Sequence, residues 1–237
     1  MVYQYCGKGN FEDFASGRVL LHRTGYPNFP VRLAQEIFCR CLARLDSAKP
    51  LRLYDPCCGG GYLLTVLGFL NYGRLETIAA SDISGEAVQL ARENLSLLGR
   101  AGLARRTEQL SQLRALHGKS SHQEALESAE RLGGILGGQA HEIQCQVFQR
   151  DIFSPSPQDV PGLQADIIFT DVPYGNLVDW QSQEDSINFL DQLLPAVREG
   201  SVVAICSNKQ QRFQSEHFQR VEKQAVGKRL FQIFMPI

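Results

Sequence analysis

Hydrophobic residues recur along this chain with two different periods, and the changes of period divide it into predicted helices and strands. Over residues 31–45 the apolar positions are spaced by three and four, which predicts one face of an amphipathic helix. Continuous apolar runs predict buried strands at 51–55 and 77–81, with a buried helix at 62–72 between them. Ser84 is a suitable N-cap for the helix that follows. Strands and helices in alternation indicate a parallel sheet with crossover helices.

A long interruption separates this first half from the second. Residues from about 99 to 141 show no strand pattern, and 104–116 and 121–136 predict polar helices separated by Gly118. Ordinary connections in compact domains are far shorter than these roughly 40 residues. We therefore interpret the segment as a helical insertion.

The alternation then resumes and completes a sheet. The patterns predict strands at 143–148, 166–170 and 201–206, a helix at 186–197 and a β-hairpin over 218–234. The predicted fold class is α/β, with a Rossmann-like, doubly wound sheet of seven mostly parallel strands and helices on both of its faces.

Composition limits the size and surroundings of this fold. With 237 residues, 43% of them hydrophobic, the chain suits one domain over 1–237 with an N-terminal extension over about 1–30. A net charge of −1 means that any site for a polyanion is a local patch. Seven cysteines without a Cys-x-x-Cys cluster indicate reduced thiols and no zinc site. Without a signal peptide or a long apolar run, we expect a cytoplasmic protein with no membrane contact and no metal, as a monomer.

The motif Asp55-Pro-Cys-Cys-Gly-Gly-Gly61 follows the first strand and opens a helix. Glycines at such a turn allow a ligand to approach the backbone, at the sheet edge where nucleotide-binding folds hold their cofactors. The motif matches neither phosphate-binding glycine pattern. Asp55 instead suggests a ligand with an ammonium group, such as S-adenosylmethionine, held together with Cys57, Gly59 and Gly61. A tight turn without any ligand is the alternative.

Two further acids follow predicted strands. Asp82, 23 positions after Gly59, is spaced as a ribose-binding acid would be, although it could equally be a helix cap. Asp151 would hydrogen-bond an adenine amino group, or it is a solvated residue that opens a turn. Their neighbours Ile83 and Ile152 complete the candidate cofactor site.

The motif Asp171-Val-Pro-Tyr-Gly175 follows the fourth predicted strand, beside the first. A carboxylate from Asp171 and the carbonyl of Val172 would accept both hydrogens of an exocyclic amine and turn its lone pair toward a methyl donor. Pro173 fixes the backbone, and Tyr174 offers a face on which an extruded base can stack. Read alone, the motif is also an ordinary turn.

The chain resembles the AviRa-type 23S ribosomal RNA methyltransferases, which are associated with avilamycin resistance. The resemblance extends to about residue 207 and is carried by the insertion and by Gly25-Tyr-Pro-Asn-Phe-Pro-Val-Arg-Leu-Ala34, Asp55-Pro-Cys-Cys-Gly-Gly-Gly-Tyr-Leu-Leu-Thr-Val-Leu-Gly68, Ala80-Ser-Asp82 and Thr170-Asp-Val-Pro-Tyr-Gly175. It implies S-adenosylmethionine-dependent methylation of a guanine N2 amino group in large-subunit rRNA. Gly60 and Val172 replace the serine and leucine of the family pattern, which leaves this chemistry possible.

RNA binding requires local positive charge. Candidate RNA contacts are Tyr26, Arg32, Arg100, Arg105, Arg106, Arg114, Lys209 and Arg212, the last two belonging to a basic C-terminal segment. For any single cation, a solvated charged surface is the alternative. By the resemblance, Tyr26, Phe29 and Arg32 would close over the cofactor or the target base, although Tyr26 and Phe29 could equally be core residues. The acidic second insertion helix is not expected to face RNA.

Two other functions remain open at this point. The Asp-x-Pro-Tyr motif also marks enzymes that methylate protein glutamine, so the acceptor could be a protein amide or a small-molecule amine. A non-enzymatic alternative is a catalytically silent RNA-binding module. Cofactor binding and activity on bare ribosomal RNA would separate the three.

Overall fold

The structure is a computed structural model that describes residues 2–15, 17–24, 28–45, 49–154, 163–172 and 188–237. Five α-helices occupy the first part of the chain: α1 Val31–Leu42, α2 Tyr62–Leu70, α3 Gly85–Ser96, α4 Arg100–His117 and α5 Ser120–Gly137. The strands are β1 Leu51–Asp55, β2 Leu75–Asp82, β3 Gln144–Gln149, β4 Ala165–Asp171, β5 Val197–Asn208, β6 Phe218–Val226 and β7 Arg229–Pro236. They form one seven-stranded sheet in the order β3-β2-β1-β4-β5-β7-β6.

The sheet confirms the predicted topology. Strands β1 to β5 pair in parallel, and β7 pairs antiparallel with both β5 and β6. From β1 the chain first adds β2 and β3 on one side, and then crosses to add β4 and β5 on the other side. The direction in which strands are added therefore reverses next to β1, which lies between β2 and β4. In open α/β sheets such a reversal creates a crevice at the carboxyl ends of the strands.

The core explains why the strands appear as apolar runs. Along β4, Ile167 and Phe169 enter one buried cluster and Ile168 enters the other, because successive side chains of a strand point to opposite faces. The first cluster also contains buried residues of all five α-helices. A strand buried on both faces needs apolar residues at every position rather than at alternate ones.

The predicted helix over 186–197 is correct at Asn188, which is α-helical, and wrong over Asp191–Ala196. Residues 186 and 187 lie outside the described residues, and Asp191–Ala196 forms a 3-10 helix before β5 begins at Val197. Pro195 lies inside this segment. Its ring lacks an N–H group and collides with the carbonyl four residues earlier, so an α-helix is disfavoured there.

The N-terminal extension is fixed by charged groups of the helices. Glu36 on α1 is fully buried, and its carboxylate accepts hydrogen bonds of 2.8 Å from the backbone N–H groups of residues 4–6 and from Arg40 Nε. Burial opposes its charged form, but these four donors outweigh that effect and lower the pKa of Glu36. On the insertion, Arg106 donates to the carbonyl oxygens of Arg18 and Val19 at 3.0 and 2.9 Å. The insertion thus supports the segment that precedes α1.

Among the described residues, no helix is both long enough and apolar enough to cross a membrane.

The turn from β1 into α2 depends on glycine. Gly61 is the N-cap of α2 with φ +72°, and a Cβ added there would lie 2.9 Å from the backbone Cα of Ala91 on α3. At Gly60 an added Cβ would lie 2.6 Å from Leu90 Cδ2, the end of a flexible side chain. The two glycines are therefore unequal, because backbone cannot move aside as a leucine methyl can.

We predict that Gly61→Ala lowers the free energy of unfolding by about 2 kcal/mol, because it combines left-handed backbone strain with a clash against α3. The matched variant Gly60→Ala should cost at most about 1 kcal/mol, since Leu90 can change rotamer. Urea unfolding of both variants measures the difference. Equal costs would contradict this account of the turn.

Candidate active site

Three aspartates mark the carboxyl edge of the central strands. Asp55 ends β1, Asp82 ends β2 and Asp171 ends β4, and these strands are adjacent in the order β2-β1-β4. Because parallel strands end at the same edge, the three carboxyl groups surround the crevice at the reversal of chain order. The sequence-based prediction that these residues share one edge agrees with this placement.

The glycine loop is attached to β2 rather than left free. Cys58 N donates to the carbonyl of Ser81 at 2.9 Å, and Gly59 N donates to Asp82 Oδ2 at 2.8 Å. The other oxygen, Asp82 Oδ1, accepts from Ser84 N at 3.0 Å, and Ser84 caps α3. Asp82 thus fixes both the loop and the start of α3, while the side chain of Ile83 beside it is 60% exposed.

Asp55 lies almost completely buried between the other two acids. Its Oδ1 accepts from Cys57 N at 3.0 Å. Burial raises the pKa of Asp55 to about 7, the charges of Asp82 and Asp171 add to this, and the hydroxyl of Thr170 opposes it. A cation placed in this crevice would favour the ionised carboxylate.

Asp171 combines burial with an unused acceptor. Burial raises the pKa of Asp171 to about 6, and the positive charge of Arg229 acts in the opposite direction. Its Oδ2 lies 3.8 Å from Arg229 Nη2. Its Oδ1 is buried and has no hydrogen-bond partner among the residues that the structure describes. A buried acceptor without a partner is costly, so it points to a donor that arrives with a ligand.

The remaining candidate cofactor residues lie beside this edge. Asp151 is exposed, and its Oδ1 accepts from Phe153 N at 3.0 Å, while Ile152 next to it is buried. Burial raises the pKa of Cys57 and of Cys58 well above that of an ordinary thiol, so neither is an activated nucleophile.

Several residues of the predicted target-base site lie outside the described residues, namely Pro173, Tyr174 and Tyr26. Val172 is buried, and its N–H donates to the carbonyl of Cys206 at 2.9 Å. Arg32 donates to the carbonyl of Cys6 through Nε and Nη2, at 3.1 and 3.0 Å, and lies over the ring of Tyr3. Its guanidinium is thus engaged with the N-terminal extension.

The predicted RNA contacts lie in three different surroundings: hydrogen-bonded to backbone carbonyls, exposed on α4, or exposed just after β5. Arg100 donates to the carbonyl oxygens of Leu136 and Gln139, near the end of α5, and Arg106 is engaged with the extension as described above. On α4, Arg105 and Arg114 are exposed, as is Arg100 despite its hydrogen bonds. Lys209 and Arg212 are exposed too, and they follow β5 at the edge that holds Asp171. Position along the sequence did not distinguish these surroundings.

Sequence reasoning did not find the partner of Asp171. Arg229 was one of several cations in the basic C-terminal segment, and only the pairing of β5 with β7 brings it to the carboxyl edge. Among the described residues, no three His, Cys, Asp or Glu side chains are grouped as metal ligands would be.

Comparisons with known proteins identify the family of this chain. The family model of the AviRa rRNA methyltransferases matches residues 1–229. A 23S rRNA (guanine(2535)-N(1))-methyltransferase of Streptomyces viridochromogenes is 40% identical over 198 residues, which cover 81% of this chain and 79% of that protein. The crystal structure of the AviRa rRNA methyltransferase from the same organism has a TM-score of 0.91 at 34% identity, covering 99% of this chain and 96% of that one.

More distant structures support the fold alone. TrmN from Thermus thermophilus has a TM-score of 0.52 at 17% identity and covers 88% of this chain and 49% of that one. A Listeria monocytogenes protein assigned to the class I S-adenosylmethionine-dependent methyltransferases has a TM-score of 0.51 at 13% identity, covering 91% and 62%. The seven-stranded mixed sheet is thus a class I methyltransferase fold, and the chain belongs to the AviRa rRNA methyltransferase family.

Proposed function

We propose that this protein transfers a methyl group from S-adenosylmethionine to the Watson–Crick edge of a guanine in 23S rRNA. The observation that carries the proposal is the buried Oδ1 of Asp171 at the central crevice of the sheet, which has no hydrogen-bond partner within the described part of the chain. The 40% identical relative, named as a 23S rRNA guanine-N1 methyltransferase, supports the choice of substrate and of N1.

The three aspartates suit a cofactor that carries positive charge. S-adenosylmethionine supplies an electrophilic methyl group on a sulfonium and also carries an ammonium group. Asp55 would bind the ammonium, because a cation there stabilises a carboxylate whose pKa burial raises to about 7. Asp82 would accept the ribose hydroxyls, since a carboxylate oxygen that already accepts one backbone N–H can accept a second donor.

The other cofactor contacts follow from the same placement. Exposed Ile83 offers apolar surface to the adenine ring, with Ile152 beneath and Asp151 accepting from its amino group. Cys57, Gly59 and Gly61 would line the side of the methionine moiety. These roles remain proposals that rest on position at the crevice.

Asp171 would act as the acceptor of the guanine proton. N1 of guanine carries a hydrogen that must leave before its lone pair can attack the methyl carbon. A carboxylate with a pKa of about 6 is ionised at neutral pH and is a stronger base than an ordinary aspartate. Asp171 would accept the N1 proton and release it to solvent. Bound S-adenosylmethionine would supply the methyl group to N1 and leave as S-adenosylhomocysteine.

The neighbouring N2 amine is the second candidate acceptor. The Asp171-Val-Pro-Tyr motif favours it, because Asp171 and the Val172 carbonyl would accept both amine hydrogens. N1 and N2 lie on the same edge of guanine, so one binding mode brings both near the same carboxylate. Pro173 and Tyr174 would position the base in either case.

We predict that Asp171→Asn lowers methyl transfer to 23S rRNA by roughly 100-fold or more, because the amide cannot accept the guanine proton. Calorimetric binding of S-adenosylhomocysteine should stay close to that of the unchanged protein. Glu216→Gln, which removes one exposed acid from the C-terminal segment, is the control and should keep full activity. Full activity of Asp171→Asn would overturn the assignment.

The product of the unchanged protein separates the candidates. Liquid chromatography of the digested RNA separates the isomers N1-methylguanosine and N2-methylguanosine against standards, and N1 methylation also blocks primer extension. Methyl incorporation into protein or small amines, with none in RNA, would indicate the amide alternative. RNA binding without cofactor binding would indicate a silent binding module.

RNA would approach the crevice over the β5 side of the sheet. Cys206 on β5 pairs with Asp171, and Lys209 follows three residues later, with Arg212 shortly after. Exposed cations so close to the carboxyl edge can neutralise phosphates that flank the target nucleotide. Arg100 is unsuited to this role, since its guanidinium is engaged with carbonyl oxygens near the end of α5.

We predict that the double variant Lys209→Gln/Arg212→Gln weakens RNA binding and lowers the slope of log K against log salt by about two, because each substitution leaves about one phosphate without its neutralising cation. The comparison variant Arg105→Gln/Arg114→Gln changes the charge equally on α4. Filter binding at several salt concentrations measures both. An equal or larger weakening in the α4 variant would place the RNA on the insertion instead.

A further inference from the structure

Arg229 occupies a distinctive place in the fold. It is the first residue of β7 and pairs with Asn208 at the end of β5, so the hairpin carries it to the carboxyl edge. Its guanidinium lies 3.8 Å from Asp171 Oδ2 and 5.3 Å from the ring centroid of Phe29. The side chain of Arg229 is 24% exposed, and that of Asp171 is 18% exposed. The two charges therefore interact in a partly desolvated setting, where the attraction is stronger than in water.

Phe29 determines where this guanidinium can lie. The ring of Phe29 is buried and packs edge-on against Phe169 of β4, with centroids 5.8 Å apart. A cation over an aromatic face is attracted to it, so the ring of Phe29 helps to hold Arg229 in place. Arg229 thus connects β7, the segment before α1 and the carboxyl end of β4.

Among the described residues, the titratable groups around Asp171 lie on four strands. Asp55 on β1 and Asp82 on β2 supply negative charge, and the Cys206 thiol on β5 is held neutral because burial raises its pKa. Arg229 on β7 supplies the positive charge that lowers the pKa of Asp171 against the larger effect of burial. In this acidic surrounding, loss of that charge would favour the protonated carboxyl group.

We propose that Arg229 is a positioning residue of the methyl-transfer site, which holds the Asp171 carboxylate through Oδ2 so that Oδ1 is presented to the guanine N–H. The inference rests on the proposed function of Asp171. A separation of 3.8 Å attracts the carboxylate without a direct hydrogen bond, so the carboxylate keeps more of its basicity than in a bidentate pair. Arginine suits this role because it stays protonated at every relevant pH.

The pH dependence of methyl transfer tests this inference. In Arg229→Gln the acidic limb of the kcat profile should move up by roughly one pH unit, because an opposite charge at this distance has been removed. With the limb of the unchanged protein near pH 6, activity there should fall by about fivefold, while activity near pH 8.5 is largely kept. In Arg229→Lys the acidic limb of the kcat profile should lie close to that of the unchanged protein, since lysine keeps the positive charge.

Two controls separate positioning from other roles. Arg74→Gln makes the same chemical change at an exposed arginine that precedes β2, at the opposite edge of the sheet, and should leave the profile unchanged. A contact between Arg229 and RNA phosphate would instead raise KM in a salt-dependent way without moving the limb. An unmoved limb in Arg229→Gln, with or without a loss of rate, overturns the proposal.

Unfolding supplies a readout that needs no activity. The pKa of Asp171 is raised in the folded state, so the protein loses stability as pH rises from about 4 through about 6. Removing Arg229 raises that pKa further, so the stability of Arg229→Gln relative to the unchanged protein should keep falling as pH rises above 6. If the unchanged protein methylates no rRNA, the proposed function fails, but the unfolding comparison still tests whether Arg229 acts on Asp171. A difference in stability between the two proteins that does not change with pH would show that it does not.

Discussion

Burial of negative charge at the carboxyl edge is the constraint around which this structure is organised. Asp55, Asp82 and Asp171 end three adjacent strands, and each meets the constraint in its own way. Both carboxylate oxygens of Asp82 accept hydrogen bonds from backbone N–H groups, and Asp171 has the positive charge of Arg229 nearby. Asp55 accepts a hydrogen bond from the Cys57 N–H, and burial still raises its pKa from 3.8 to about 7. That rise corresponds to roughly 4 kcal/mol against the ionised form, part of which a bound cation would recover.

Several charged side chains of the helices serve the backbone of the N-terminal extension. Arg106 and Arg32 both donate to its carbonyl oxygens, and Glu36 accepts from its backbone N–H groups. The extension therefore depends on side chains from α1 and from the insertion. Phe29, which follows in the sequence, packs on Phe169 of β4 and lies under Arg229 at the carboxyl edge. The insertion thus supports the extension through Arg106 and is not only a candidate surface for RNA.

Local patterns were sufficient to predict the sheet and the three acids. Strands buried on both faces produce apolar runs that can be recognised without tertiary information, and parallel pairing then brings Asp55, Asp82 and Asp171 to one edge. Contacts between distant segments were not predictable in this way. Neither the pairing of Arg229 with Asp171 nor the use of Arg106 by the extension leaves a spacing signal, because each depends on how elements pack. The helix predicted over 186–197 was wrong over Asp191–Ala196, where Pro195 disfavours an α-helix.

The chemistry of Asp171 bears on the choice between the two guanine nitrogens. At N2 the carboxylate needs only to accept hydrogen bonds and orient a lone pair, and the proton can leave after the methyl has arrived. At N1 the proton must leave before or during attack, so the basicity of the carboxylate enters the rate directly. A pKa of about 6 keeps Asp171 ionised at neutral pH and makes it more basic than an exposed aspartate. Burial raises this basicity and Arg229 limits it, and such a balance is more useful to a proton acceptor at N1 than to a hydrogen-bond acceptor at N2.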